Sequence, residues 1–243
     1  PQRIDADATV QSEGIDIVIA IDVSGSMREA GLDTGRKLDG AKGAMKRFLE
    51  LRRDDRVGLV VFKSESKALS PLSTDYKALT QEVDLAEKLG EGLSEGTGIG
   101  VGLADAINLL RGSPAKSRVV ILATDGENNQ HRIEPEQAGK IAELLKIRVY
   151  TIGIPTAGAR VDQSLDERQM RQIAEGTGGN YTRATNEQGL FDIFTTIATL
   201  EKSRVERERF VRYHELAPWL LIPALGLVAL EVLLGASVFR RAP

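Results

Sequence analysis

Ile15-Asp-Ile-Val-Ile-Ala-Ile-Asp22-Val-Ser24-Gly-Ser26 runs from a candidate strand straight into a turn of oxygen donors. The apolar, β-branched run Ile15 to Ile21 predicts a buried strand. Asp22, Ser24 and Ser26 follow it at alternate positions. At the end of a parallel strand, such a turn points its side chains into the crevice where α/β sheets bind ligands. One carboxylate and two hydroxyls converging there make a hard, oxygen-only cation site. The chain has no Cys and only two His, so softer metals lose their preferred ligands. Taken alone, the same residues also suit an ordinary loop, because Asp and Ser are common turn and helix N-cap residues.

Two distant segments shift that balance. Arg118-Val-Val-Ile-Leu-Ala-Thr-Asp125-Gly126 is a second buried strand ending in a carboxylate and a glycine. Thr97, in Gly96-Thr97-Gly98-Ile-Gly100, supplies a hydroxyl just before the helical pattern Ile99 to Leu110. With these three segments the chain resembles the von Willebrand factor A domain and its metal-ion-dependent adhesion site, over roughly Asp16 to Leu200. The resemblance implies that Ser24, Ser26 and Thr97 bind Mg²⁺ (or Mn²⁺) through hydroxyls, with Asp22 and Asp125 binding directly or through water. It also implies an open coordination position, completed by a Glu or Asp of a partner protein. Gly25, Met27, Gly98, Gly126, Glu127 and His131 are the candidate rim that such a partner would touch. The family is not catalytic, and His131 is the only candidate general base near the site. A Mg²⁺-dependent hydrolase and a purely structural membrane scaffold are the alternatives.

Length and charge narrow the classes further. The 243 residues allow one large domain plus an appendage, and 32 basic against 35 acidic residues provide no basic field for nucleic acid. A nucleotide site is also excluded. Gly96, Gly98, Gly100 and Gly102 alternate and fit no G-x-G-x-x-G register, Glu91 and Glu95 would repel a pyrophosphate, and no P-loop motif exists. The start at Pro1 rather than Met marks an expected processed or trimmed product, with residues 1–14 a polar lead-in.

Strand and helix signals alternate along residues 15–200. A Gly-rich charged loop from Arg28 to Gly35 precedes a helix over Leu38 to Leu51, and Arg56 to Phe62 is a buried strand. Only Lys63 to Glu65 separate that strand from a weaker one near Lys67 to Ser70, a link so short that the two must form a hairpin. Thr74 and Asp75 cap a helix to Leu89, and further helices are expected over Pro135 to Lys146, Asp166 to Glu175 and Asn186 to Leu200. Strands are expected at Ile147 to Gly153 and Asn180 to Arg183. The fold class is therefore α/β: a doubly wound, mostly parallel Rossmann-like sheet with one antiparallel edge strand.

The C-terminal part differs in kind. Residues 201–216 mix both charges at helical spacing and predict a solvated stalk. Residues 217–239 contain 22 uncharged residues of 23, enough for a transmembrane helix, with Trp219 at the expected aromatic belt and Arg240 and Arg241 opening the 240–243 tail. Glu231 inside that span is a functional anomaly or snorkels to the interface.

A finer resemblance lies in the phrases Asp55-Arg-Val-Gly-Leu-Val-Val-Phe62, Asp125-Gly-Glu-Asn-Asn129, Ile147-Arg-Val-Tyr-Thr-Ile-Gly153 and Leu200-Glu-Lys-Ser203. These resemble bacterial aerotolerance (Bat-type, BatA-like) membrane proteins. That resemblance implies other Bat-type proteins and a MoxR-type AAA+ ATPase as partners, and an inner-membrane location with the domain on the extracytoplasmic side. The basic residues before the span, from Lys202 to Arg212, outnumber those after it and by themselves favour the cytoplasm.

Overall fold

The structure, a computed structural model, describes residues 14–31, 35–125, 128–130, 132–156, 167–210 and 223–228. Its elements run β1 (Asp16–Asp22), α1 (Lys37–Glu50), β2 (Arg56–Phe62), β3 (Ser66–Ser73), α2 (Tyr76–Leu89) and α3 (Ile99–Leu110). They continue through β4 (Arg118–Thr124), α4 (Pro135–Leu144), β5 (Arg148–Gly153), α5 (Glu167–Gly176), β6 (Tyr181–Arg183) and α6 (Glu187–Phe210). The strands form one six-stranded sheet in the order β3-β2-β1-β4-β5-β6. Every neighbouring pair is parallel except β2 with β3. The hairpin deduced from the short link is therefore present. It is longer than expected because register shifts opposite Leu59 let the chain pass Pro71 and resume pairing at Ser73. A proline is tolerated there because β3 is an edge strand.

Alternation along the central strands explains the layers. Ile17, Ile19 and Ile21 of β1 face a core closed by α1, α2 and α6, where the rings of Phe48 and Phe194 lie 5.4 Å apart. Val18 and Ala20 face the opposite core, shared with Val120 and Leu122 of β4 and closed by α3, α4 and Ile173 of α5. Both faces of β1 are covered, so its run of apolar residues is continuous rather than alternating.

The alternating glycines around α3 serve packing. Gly96 adopts φ +122°, which L side chains rarely adopt. A Cβ at Gly100 would meet the carbonyl oxygen of Ile133 at 2.0 Å, and one at Gly102 would meet the Phe62 ring at 2.5 Å. Gly100→Ala is therefore expected to lower stability by about 1–3 kcal/mol, since backbone must move. A melting temperature unchanged from wild type would contradict this close approach.

Residues Ser12–Val205 form one compact unit. The charged segment expected to be solvated from residue 201 begins inside it: Glu201 is fully buried, and Lys202 reaches Asp55 at 3.5 Å. Burial is possible because Glu201 meets Ser117, Arg148 and Tyr150 at the start of β4 and β5. The second unit, Pro1–Gln11 with Glu206–Pro243, is described only at 206–210 and 223–228, both helical. Among the described residues no helix is long and apolar enough to cross a membrane. Most of the apolar segment 217–239, including Trp219 and Glu231, lies outside the described residues, as do 240–243 and the lead-in before Gly14.

Candidate metal centre

The strand order reverses at β1: the chain moves from β1 outward to β2 and β3, then crosses to β4 on the other side. That switch point is where an open α/β sheet leaves a crevice at its carboxyl edge. Asp22 ends β1, Asp125 follows β4, and Thr97 precedes α3 on the crossover between β3 and β4. Three segments far apart in sequence are thereby brought to one edge.

Hydrogen bonds tie them together. The Ser24 amide donates to Asp22 Oδ1 at 2.8 Å, closing the turn after β1. The hydroxyls of Ser24 and Ser26 lie 3.1 Å apart, and Ser26 donates to Asp125 Oδ1 at 3.0 Å. Ser24, Ser26, Thr97 and Asp125 line a cleft of about 370 Å³. Asp22 lies fully buried behind this wall, where the Thr124 hydroxyl donates to its Oδ2 at 2.7 Å.

The Thr97 loop is held from both sides. Gly98 N donates to Lys63 O at 2.6 Å at the end of β2, and Ser64 Oγ donates to Ser94 O at 2.7 Å. On the other side, Thr97 N donates to Asn129 Oδ1 at 2.8 Å and Ile99 N to Asn128 Oδ1 at 3.0 Å. The two asparagines after Asp125 therefore orient the threonine loop. They stood in the quoted phrase Asp125 to Asn129, but no local pattern reveals that their side chains serve a loop about 30 residues earlier.

Burial first, and the neighbouring Asp125 charge second, push the Asp22 carboxyl up to about 6, against the bonds from Ser24 and Thr124. A buried carboxylate facing another is short of positive charge. Two carboxylates and three hydroxyls, with no sulfur or imidazole among the described residues of the cleft, suit a hard divalent cation held octahedrally. Among the described residues there is no group of three His, Cys, Asp or Glu, so the hydroxyls have to complete any coordination shell. The site residues present fit the metal that the sequence resemblance implies.

Two rim expectations need correction. Met27 is fully buried in the core beneath α1, because the single 3-10 turn Gly25–Arg28 rotates it inward. Gly98 is also buried, at the N-cap of α3, with its amide spent on Lys63. Gly25 lines the cleft, while Gly126, Glu127 and His131 lie outside the described residues. Sequence reasoning missed Lys37 and Glu29, which share the cleft wall. Lys37 is 1% exposed, and its Nζ donates to Asp125 Oδ2 at 2.8 Å.

The chain is 31% identical to an uncharacterized protein of Borreliella burgdorferi over 59% of its own length and 41% of that relative, less than half of the longer chain. It is 26% identical to a UPF0353 protein of Nocardia farcinica, covering 93% of this chain and 73% of the other. Among solved structures, the conserved hypothetical protein BatB from Bacteroides thetaiotaomicron has a TM-score of 0.66 at 26% identity, covering 78% of this chain and 100% of that one. An aerotolerance-related membrane protein from Bacteroides fragilis, carrying multiple mutations to serines, shares the fold with a TM-score of 0.65 at 23% identity, over 79% and 100% of the two chains. The model of the von Willebrand factor type A domain matches residues 16–196, from the first residue of β1 deep into α6, and the chain therefore belongs to the von Willebrand factor type A domain family.

Proposed function

We propose that this chain is a membrane-anchored, metal-dependent protein-binding module in a Bat-type stress or assembly system. Mg²⁺, or Mn²⁺ in its place, is held by Ser24, Ser26, Thr97, Asp22 and Asp125, and a Glu or Asp of a partner protein completes its shell. The observation that carries this reading is the convergence of Ser24, Ser26, Thr97 and Asp125 on one open cleft at the switch point, with the buried carboxyl of Asp22 behind them. A bound cation relieves the mutual repulsion of Asp22 and Asp125, and the open wall gives a protruding side chain access. The two carboxylates are engaged with hydroxyls and Lys37, an arrangement suited to holding a ligand rather than to moving protons. In this reading the site captures a partner without catalysis.

The apolar segment 217–239 supports the anchor, as does the description of the Bacteroides fragilis relative as a membrane protein. Other Bat-type membrane proteins and a MoxR-type AAA+ ATPase are the partners this reading names, with the domain on the extracytoplasmic side of the inner membrane.

Calorimetric titration of the chain with Mg²⁺ is expected to give one site, and Thr97→Ala to weaken it at least about ten-fold, as loss of a directly coordinating group should. Pull-down from solubilised membranes is expected to recover a partner in Mg²⁺ and to lose it in chelator or with Thr97→Ala. Partner capture that survives chelation sinks the metal-dependent reading.

A further inference from the structure

Lys37 is among the largest fully buried side chains of the protein, yet it carries a charge. Burying an ammonium costs several kcal/mol unless it is well paired. The backbone makes room for it: a Cβ on Gly31 would meet Lys37 Cγ at 2.3 Å, so only glycine lets the lysine stem pass to the cleft. At its far end, the three N–H donors of Nζ have one hydrogen bond among the described residues, to Asp125 Oδ2. The second charged neighbour is Glu29 Oε2 at 3.7 Å, within ion-pair range but longer than a hydrogen bond. Its side chain is 60% exposed, so it is held weakly and leaves the wall without disturbing the core.

Charge decides what such a wall selects. Asp22 and Asp125 together balance a divalent cation, leaving a loaded site near neutral. Lys37 adds one positive charge in the same cleft and spare donors beside the site. A loaded cleft with Lys37 prefers an anion to a neutral group of the same shape. We propose that Lys37 determines the specificity of this cleft for a carboxylate, and that Glu29 is a built-in competitor which occupies the ammonium until a partner's Glu or Asp displaces it. This rests on the metal-dependent binding reading and adds to it a second recognition point and an internal gate.

The test uses the full chain, with Mg²⁺ followed by calorimetry and glutarate followed by ligand-observed NMR in Mg²⁺, glutaramide being the neutral control. Lys37→Met is expected to bind Mg²⁺ at least as tightly as wild type, because a positive charge beside a ligand has been removed. It should weaken glutarate about ten-fold or more, the worth of a hydrogen bond to a charged group, and lose the preference over glutaramide. Lys37→Arg should keep that preference. Glu29→Gln, at an exposed position, should tighten glutarate about two- to five-fold while Mg²⁺ binding stays the same or weakens slightly. Wild type binding both probes while Lys37→Met retains its preference overturns this inference alone. Glutarate affinity unchanged or weaker in Glu29→Gln overturns the competitor. No Mg²⁺ binding by wild type overturns the metal-dependent reading, and this inference with it.

Discussion

Asp22→Asn is expected to abolish the stabilisation by Mg²⁺ and, in chelator above about pH 6, to make the metal-free protein more stable than wild type. The opposite signs come from one cause. In the metal-free fold the Asp22 carboxyl is pushed from 3.8 to about 6, chiefly by burial and then by Asp125. A carboxyl whose folded value lies above its unfolded value binds its proton more tightly when folded. Stability is therefore unaffected below the unfolded value and falls as pH rises from about 4 to about 6. Above that it stays lower by a constant amount. A shift of this size corresponds to about 3 kcal/mol.

An amide of the same shape escapes the cost. It accepts from Ser24 N and donates to the Thr124 hydroxyl, which serves as acceptor as readily as donor. Urea unfolding in chelator should show Asp22→Asn gaining about 1–3 kcal/mol at pH 8 and close to nothing near pH 4. With Mg²⁺ at about a hundred-fold excess over Kd, wild type should gain about 2.7 kcal/mol and the variant nothing. A variant that is strongly destabilised at pH 8 in chelator would show that the ionised Asp22 is welcome in its site, and the account of a cation-hungry pair would fail.

Glu201→Ala should be the most damaging single change outside the cleft, at about 3–5 kcal/mol. Glu201 is fully buried and accepts from Ser117 Oγ and Arg148 Nε, each at 2.8 Å, and from the Tyr150 hydroxyl. Truncation leaves the buried Ser117 and Tyr150 hydroxyls without this acceptor, opens a cavity and takes from Arg148, which only partly reaches water, its carboxylate partner. It also releases α6 about two turns beyond Phe194 and three beyond Leu190, which anchor that helix in the core. Glu201→Gln keeps the volume and should cost less. Lys202→Ala, losing a partly exposed partner of buried Asp55, which keeps Arg52 and the Ile15 amide, should cost under about 1 kcal/mol. Urea unfolding ranks the three; a Glu201→Ala cost no larger than that of Lys202→Ala would show that the buried carboxylate does not clamp the helix.

The sequence by itself determined the order of strands and helices, the antiparallel hairpin of β2 and β3, and the oxygen donors Ser24, Ser26, Thr97 and Asp125 that line the cleft, though not Lys37 and Glu29 beside them. These follow from information carried by neighbours. Continuous Val and Ile runs identify strands buried on both faces, a three-residue link dictates a hairpin, and Asp-x-Ser-x-Ser places its donors within five residues. β2 and α3 kept their expected bounds, the ends of β1 and α1 moved by one residue, and α6 runs ten residues past Leu200, because the last turn or pair is settled by packing rather than by composition.

Only the tertiary structure decided the charges. Lys37 and Asp125 are 88 positions apart, and Ser117 and Glu201 are 84 apart. In sequence, Lys37 is one more basic residue at a helix start, and Glu201 one more acid in a charged run. Their burial depends on which strand ends the sheet order brings beneath them. The same holds for Met27, which reads as part of a polar turn but points into the core once that turn closes as a 3-10 helix. Periodicity reports which face of an element is apolar. Which distant partner makes a buried charge tolerable is a property of the assembled sheet, because the desolvation cost and the compensating contact exist only after folding.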